Sequence, residues 1–218
     1  ATAFEWGRLK MQASVLGYFV HEKVERFEAR PDKAVATPAF FGSFKVLKNH
    51  DLSVRAFYKR MFRMPTFNDL YYTDMGNAFL KPEYAEQFNV GLKYTRNFEK
   101  SPFMRMLDVS VDAYYNKITD KIIAYPKGQQ FRWTMLNLGE VEIKGVDAVL
   151  NALFTLGKLE VTTKFQYTYQ KAIDITDPAD TYYRDQIPYI PWHSGSAILA
   201  LFYKGWGLNY SFIYTGQR

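Results

Sequence analysis

The sequence of 218 residues has no cysteine, only three histidines and no apolar run long enough to cross a bilayer as a helix. A membrane-spanning helix needs about 20 mostly apolar residues, so we predict no transmembrane helix in these 218 residues. A cysteine nucleophile, a Gly-x-Ser-x-Gly elbow, a phosphate-binding glycine loop and the spacing of a zinc site are also missing. We therefore predict no catalytic activity, no resident metal and no cofactor.

Basic residues are scattered along the chain rather than clustered, a pattern that does not predict nucleic-acid binding. The formal net charge of +6 is compatible with anionic ligands or lipid phosphates, and equally with a surplus of solvated lysines and arginines. Aromatic residues make up 18% of the chain, and 48% of residues are hydrophobic although the mean hydropathy is −0.29. This combination is typical of a membrane β-barrel, in which each strand has one apolar and one polar face.

Residues 159–170 alternate in type without interruption. One set is Leu159, Val161, Thr163, Phe165, Tyr167 and Tyr169, and the other is Glu160, Thr162, Lys164, Gln166, Thr168 and Gln170. Successive side chains of a β-strand point to opposite faces, so this pattern predicts a strand. Its length exceeds the usual strand of about 5–6 residues and suits the tilted membrane strand of about 9–11.

Nine segments share this pattern: 8–19, 36–47, 52–62, 84–95, 107–116, 141–154, 159–170, 194–203 and 206–214. Their connections alternate between short turns and long polar loops, the latter covering about 22–35, 63–83, 118–134 and 171–191. Outer-membrane barrels have short periplasmic turns and long extracellular loops, with aromatic residues at both interfaces. The sequence therefore predicts an all-β, antiparallel transmembrane β-barrel portion of about nine long strands.

The energetics of burial fix the register of these strands. A lysine facing lipid at the bilayer midplane costs about 2–4 kcal/mol. The face that carries Glu160, Lys164 and Gln166 must therefore line a lumen. A soluble antiparallel β-sandwich would also show alternation, and it is the alternative fold.

Two sequence boxes lie in the second of these long loops. They read Phe62-Arg63-Met64-Pro65-Thr66-Phe67-Asn68-Asp69-Leu70-Tyr71-Tyr72 and Gly76-Asn77-Ala78-Phe79-Leu80-Lys81-Pro82-Glu83. With residues 114–122 and 137–147, these boxes closely resemble the barrel of TonB-dependent outer-membrane receptors, and the resemblance spans about residues 36–215. Ala78 departs from the pattern, since many relatives have proline there, and this departure bears on loop geometry only.

The resemblance implies a barrel of about 22 strands whose wide lumen is filled by an N-terminal plug. Residues 1–218 would then form a partial barrel domain, with the plug and the last strands outside this chain. It also implies a location in the outer membrane of a Gram-negative bacterium, and uptake of a scarce, bulky nutrient such as a ferric siderophore, cobalamin or a similar chelate. The expected partners are that ligand, outer-membrane lipids and the TonB complex, which contacts the plug, but no nucleic acid.

Ligand contacts in such a receptor would come from the long loops, where aromatic and arginine side chains stack on flat chelates and bond anionic groups. The candidates are Tyr71, Tyr72, Asp74, Phe131, Arg132, Trp133, Tyr182, Tyr183 and Arg184. The box residues are expected to be mainly structural: Arg63, Pro65, Asn68, Asp69, Asn77, Pro82 and Glu83. Arg63 and Glu83 lie near the two ends of the loop, where they could pair or bond loop carbonyls.

Other functions stay open as alternatives. A plug-free outer-membrane porin or adhesin barrel would share the strand pattern, and a soluble β-sandwich binding module would share the alternation. Some receptors of the family that the sequence resembles take haem and carry a histidine between the two boxes. The stretch from Arg63 to Glu83 contains no histidine, which disfavours haem as the ligand. The aspartates of the last long loop lack the spacing of a calcium loop, which favours a solvated acidic loop.

Overall fold

The computed structural model describes residues 1–23, 32–47, 51–127 and 132–217. The strands are β1 (Thr2–Trp6), β2 (Leu9–Val20), β3 (Lys33–Lys45), β4 (Asp51–Arg63), β5 (Glu83–Asn97), β6 (Met104–Lys127), β7 (Arg132–Leu156), β8 (Leu159–Asp174), β9 (His193–Tyr203) and β10 (Trp206–Thr215). A single short helix, α1 (Phe67–Tyr71), lies between β4 and β5.

All the strands belong to one sheet, in which each strand pairs antiparallel with its neighbours in sequence, from β1 to β10. Such a meander of long strands is the architecture of a barrel wall. The predicted all-β antiparallel fold is confirmed. The described ranges hold ten strands rather than nine, because β1 spans only five residues and is too short to show a membrane-strand pattern.

The two faces of the sheet differ as the alternation predicts. Phe165 of β8 pairs with Leu150 of β7 and Ala197 of β9, and these residues lie on the outer face. Phe165 and Phe212 keep 51% and 52% of their surface exposed. Within the described ranges every strand lies in this one sheet, so no second sheet covers the apolar face and the β-sandwich alternative is wrong. Exposed aromatic side chains over a whole sheet face require a lipid surround.

The segment 118–134 is not the polar loop that the sequence predicts. In the described part of this segment, strands β6 and β7 continue as an antiparallel pair, here called the β6–β7 hairpin, from Lys121 opposite Leu138 up to Lys127 opposite Arg132. These strands have 24 and 25 residues, well beyond the 9–11 or so that a tilted crossing needs. The hairpin therefore projects beyond the membrane at the long-loop end.

Buried apolar side chains are concentrated at that same end. One cluster consists of Ala85, Ile118, Val141, Ile143, Ala172 and Ile187, and a smaller one consists of Leu70, Leu80 and Ile122. Both contain residues of the strands and of the loops, so the loops pack against the sheet rather than extending into solvent. In the described ranges no helix is long and apolar enough to cross a membrane.

Candidate functional site: the long-loop end of the sheet

A charged brace, formed by Arg63, Asp69 and Glu83, closes the base of the loop between β4 and β5. The Arg63 guanidinium donates to Asp69 Oδ2 at 3.0 Å and lies 3.5 Å from Glu83 Oε2. Glu83 Oε2 also accepts the Ile122 N–H at 3.0 Å. The pairing of Arg63 with Glu83 that the sequence suggested is therefore present, and it joins the loop to β6.

Helix α1 is held at its start by a reciprocal cap. The Thr66 hydroxyl accepts the Asp69 N–H at 3.2 Å, and the Asp69 carboxylate accepts the Thr66 N–H at 2.8 Å. A Thr-x-x-Asp sequence satisfies in this way two of the main-chain donors that a helix start leaves free. Asp69 thus serves the cap and the brace together. The sequence did not predict the role of Thr66, because the box was expected to be a loop without a helix.

The second box crosses to β7 and is tethered there by amide side chains. Asn77 donates through Nδ2 to the Met135 carbonyl at 3.0 Å, while Asn137 contacts both main-chain groups of Lys81 at 2.8 and 3.0 Å. Gly76 packs so closely on the helix that a Cβ there would lie 2.7 Å from the Leu70 carbonyl group. Side-chain amides provide both a donor and an acceptor, which suits them to tie a loop to a strand.

The loop between β8 and β9 is tethered to the sheet as well. Gln186 accepts the Ala172 N–H through Oε1 and donates to the Ile190 carbonyl through Nε2, each at 3.0 Å. Ile187, which is 4% exposed, fills the larger apolar cluster beside Ala172. Tyr189 of the same loop contacts Trp133 of the β6–β7 hairpin, with ring centroids 5.7 Å apart. A groove of about 420 Å³ lies between this loop and the hairpin.

The predicted ligand residues lie on the surfaces of these tethered loops. Tyr71, Tyr72 and Asp74 are exposed on the first loop, and Tyr182 and Arg184 are exposed on the last. Tyr183 is partly buried, with Arg184 over its ring at 5.9 Å. Trp133 lines the groove beside the last loop. Phe131 lies outside the described residues, as does the side chain of Arg132.

The seven predicted box residues differ in burial. Pro65, Asp69 and Pro82 are buried, whereas Asn68 is exposed and contributes its carbonyl to the Tyr72 N–H at 3.2 Å. No contact among the described residues joins the first group of ligand candidates to the last. The structure therefore places the two groups of ligand candidates on two separate loops. Both loops lie at the long-loop end of the sheet, which is called the rim below.

Below this rim the inner face of the sheet carries paired charges beside an aromatic pair, Phe41 and Phe57. Arg55 makes a two-pronged contact with Asp112, and Asp108 bonds Thr95 at 2.7 Å and lies 3.3 Å from Lys93. A hollow of about 740 Å³ is lined by residues that include Arg55 and Asp112. Such a wall, with charges already paired, suits a hydrated lumen or contact with another polar protein surface. No group of three His, Asp or Glu side chains suited to a metal ion occurs in the described part of the chain.

Comparison with known proteins assigns this architecture to a family. Residues 11–218 match the sequence model described as "TonB dependent receptor-like, beta-barrel". The chain belongs to this family. Members of the family are outer-membrane proteins of Gram-negative bacteria, and the apolar outer face is the surface that such a location requires.

Two curated relatives are both named "Vitamin B12 transporter BtuB". The protein of Vibrio vulnificus is 34% identical over 99 residues, which cover 45% of this chain and 14% of the relative. The protein of Photobacterium profundum is 34% identical over 113 residues, covering 49% of this chain and 16% of the relative. The matches thus cover about one-seventh of the length of these relatives.

Two solved structures share the fold. One is the copper transporter OprC, with a TM-score of 0.56 at 17% identity, covering 95% of this chain and 30% of that one. The other is the siderophore receptor PirA from Pseudomonas aeruginosa, with a TM-score of 0.51 at 16% identity, covering 94% and 38%. At such low identity these likenesses support the fold alone.

Proposed function

We propose that this segment is part of the barrel wall of a receptor that imports a scarce, bulky nutrient across the outer membrane with energy from TonB. The nutrient is cobalamin, a ferric siderophore or a similar chelate. The observation that carries the proposal is the family match over residues 11–218. The names of the two BtuB relatives support the cobalamin option, and the name of PirA supports the siderophore option.

The complete barrel would hold further strands and an N-terminal plug that TonB contacts. Binding would start at the rim, where the tethered loops present aromatic side chains and an arginine. Stacking and charge-assisted hydrogen bonds would hold a flat or anionic chelate there. The polar inner face would then line the path through the lumen. No bond in the nutrient needs to be made or broken, so the proposed role is transport without catalysis.

The rim candidates divide into two kinds of role under this proposal. Tyr71, Tyr72 and Asp74 on one side, and Tyr182, Tyr183 and Arg184 on the other, would contact the ligand. Trp133 would support the second group through its contact with Tyr189. The brace would hold the first loop in position without touching the ligand, because Asp69 and Glu83 are already committed to protein donors.

A growth test in a strain lacking the complete gene would test the function. Growth should depend on the gene, and on TonB, when cobalamin or one ferric chelate is the sole source of that nutrient. Tyr72→Ala and Tyr182→Ala, at side chains that are 58% and 71% exposed, should lower ligand binding while leaving protein abundance unchanged. Tyr210→Ala is the matched control, since Tyr210 is 60% exposed on the outer face.

Two results would contradict the proposal. Nutrient uptake that continues without TonB would indicate a plug-free porin. If growth on cobalamin and on every ferric chelate supplied is independent of the gene, the proposed class of nutrients is wrong.

A further inference from the structure

An aromatic row crosses the outer face at the long-loop end. It runs from Phe40 through Tyr58 and Phe88 to Tyr115, with successive ring centroids 6.4, 4.9 and 6.3 Å apart. Amphipathic rings at this height mark the boundary between hydrocarbon and headgroups. The row therefore locates the outer-leaflet interface on this part of the sheet.

Two lysines continue this row in register. Lys144 lies opposite Tyr115 on one side and opposite Lys171 on the other. Like charges directly opposite each other on neighbouring strands are destabilising. Both ammonium groups lie over rings, that of Lys144 over Tyr115 at 5.4 Å and that of Lys171 over Trp192 at 5.8 Å. Lys144 Nζ is also 2.8 Å from Glu142 Oε1, which partly compensates its charge.

The charges around this pair leave it positive. In the next row Lys117 is paired with Glu140 at 2.8 Å, and Glu142 also accepts the Tyr115 hydroxyl at 3.2 Å. Arg60 lies opposite Glu86 further along that row, so these two charges offset each other. The three lysines, Lys117, Lys144 and Lys171, thus outnumber the two carboxylates, Glu140 and Glu142. An anion lying between Lys144 and Lys171 would relieve the repulsion between these two lysines.

An apolar groove of about 460 Å³ lies on the outer face, and Lys144 is one of its lining residues. Its outward-facing side chains are Phe88, Val90, Ala113, Tyr115, Val146 and Tyr169. Ala113 forms the floor, because it lies in register between the larger Val90 and Val146. A single hydrocarbon chain fits such a trough between aromatic walls, with its polar end at Lys144.

We propose that this groove and the lysine pair bind lipid A, the phosphorylated and acylated glycolipid of the outer leaflet. One acyl chain lies over Ala113, and a phosphate bridges Lys144 and Lys171. The charge complementarity and the height of the site at the outer interface carry this assignment. It rests on the membrane location of the sheet and is independent of the nutrient transported.

Retention of lipid A by the full-length protein in detergent, measured by native mass spectrometry, tests the site. The double variant Lys144→Gln/Lys171→Gln should retain lipid A about 30-fold more weakly, since each lysine near an anionic lipid contributes about fivefold. The matched control is Lys158→Gln/Lys204→Gln, in the turns at the opposite end, where Lys204 also lies over a ring, that of Tyr203, at 5.3 Å. Its retention should be unchanged.

A second variant and a second probe separate the parts of the site. Ala113→Phe should fill the groove and weaken lipid A retention without removing a charge. Lipid A that lacks its phosphates should bind the unaltered protein as weakly as intact lipid A binds the double variant. Equal retention by the double variant and its control would overturn the proposal. Phosphatidylglycerol held as tightly as lipid A, and lost in the same variants, would show that the named occupant is wrong.

Discussion

The brace offers the most quantitative prediction, because one carboxylate serves two purposes there. Asp69 is buried, accepts the Thr66 N–H at 2.8 Å and accepts Arg63 Nη2 at 3.0 Å. Asp69→Ala would remove both hydrogen bonds and leave the start of α1 without half of its capping box. Arg63 would keep Glu83, so the change should open the loop without leaving an unpaired charge.

The magnitude follows from these contacts. Loss of a helix cap costs about 1 kcal/mol. A hydrogen bond to a charged partner contributes about 1.5–3 kcal/mol, and the low end applies because the Arg63 side chain is 45% exposed. Opening of the loop should therefore become easier by about 2–3 kcal/mol, which is about 30- to 150-fold in the opening equilibrium.

Hydrogen exchange of loop amides in the full-length protein would measure this change. The N–H groups of Leu70 and Asn77, which donate to Thr66 and Asp69 carbonyls at 3.1 and 2.9 Å, should exchange faster by that factor. Asp74→Asn is the control, since Asp74 is exposed in the same loop and asparagine tolerates its positive φ of 69°. Unchanged exchange in Asp69→Ala, or an equal change in Asp74→Asn, would refute the structural role of the brace.

Three further predictions concern the sheet and the last loop. Val111→Arg, on the outer face, should destabilise the protein in bilayers by about 2–4 kcal/mol in denaturant titrations, whereas Ser110→Arg on the inner face should not. Ile187→Ala should lower the free energy needed to open the last loop by about 2–4 kcal/mol, and so speed proteolysis within 175–192. An unchanged rate of proteolysis would show that burial of Ile187 does not hold the loop. Gly145→Ala should lower stability by about 1–3 kcal/mol, because the added methyl would lie 2.5 Å from a carbonyl oxygen of β8; Gly17→Ala, whose nearest contact would be 3.5 Å, should have little effect.

Much of the sheet could be predicted from sequence because lipid imposes a strict rule on each strand. The alternation in 159–170 gave the faces of β8 correctly, and the observed pairing with β7 and β9 keeps Phe165 and Tyr167 on the outer face. A polar residue in hydrocarbon is costly, so the alternation of apolar and polar residues predicts the two faces of each strand separately. The pairing at the two ends of the loop was also predictable, since Arg63 and Glu83 form the ion pair that their positions suggested.

The region beyond the membrane was harder to predict because water removes that rule. Beyond Ile118, β6 carries Thr119, Asp120 and Lys121 in succession, and this polar composition was mistaken for a loop. The tether made by Asn137 joins it to Lys81, 56 residues away in sequence, and the tether made by Gln186 joins the last loop to Ala172 of β8. Strand alternation carries no information about such contacts, so they emerge only from the folded chain.

The most direct test of the account is a scan of single cysteines through 159–170, each carrying a nitroxide label, in the full-length protein reconstituted into bilayers. Residues 1–218 contain no cysteine, so no native thiol within them competes for the label. Collision with oxygen should be high at Val161, Phe165 and Tyr167 and low at Thr162, Lys164 and Gln166, repeating every two residues. A flat profile, or one with the opposite phase, would contradict the claim that lipid covers the apolar face of this sheet.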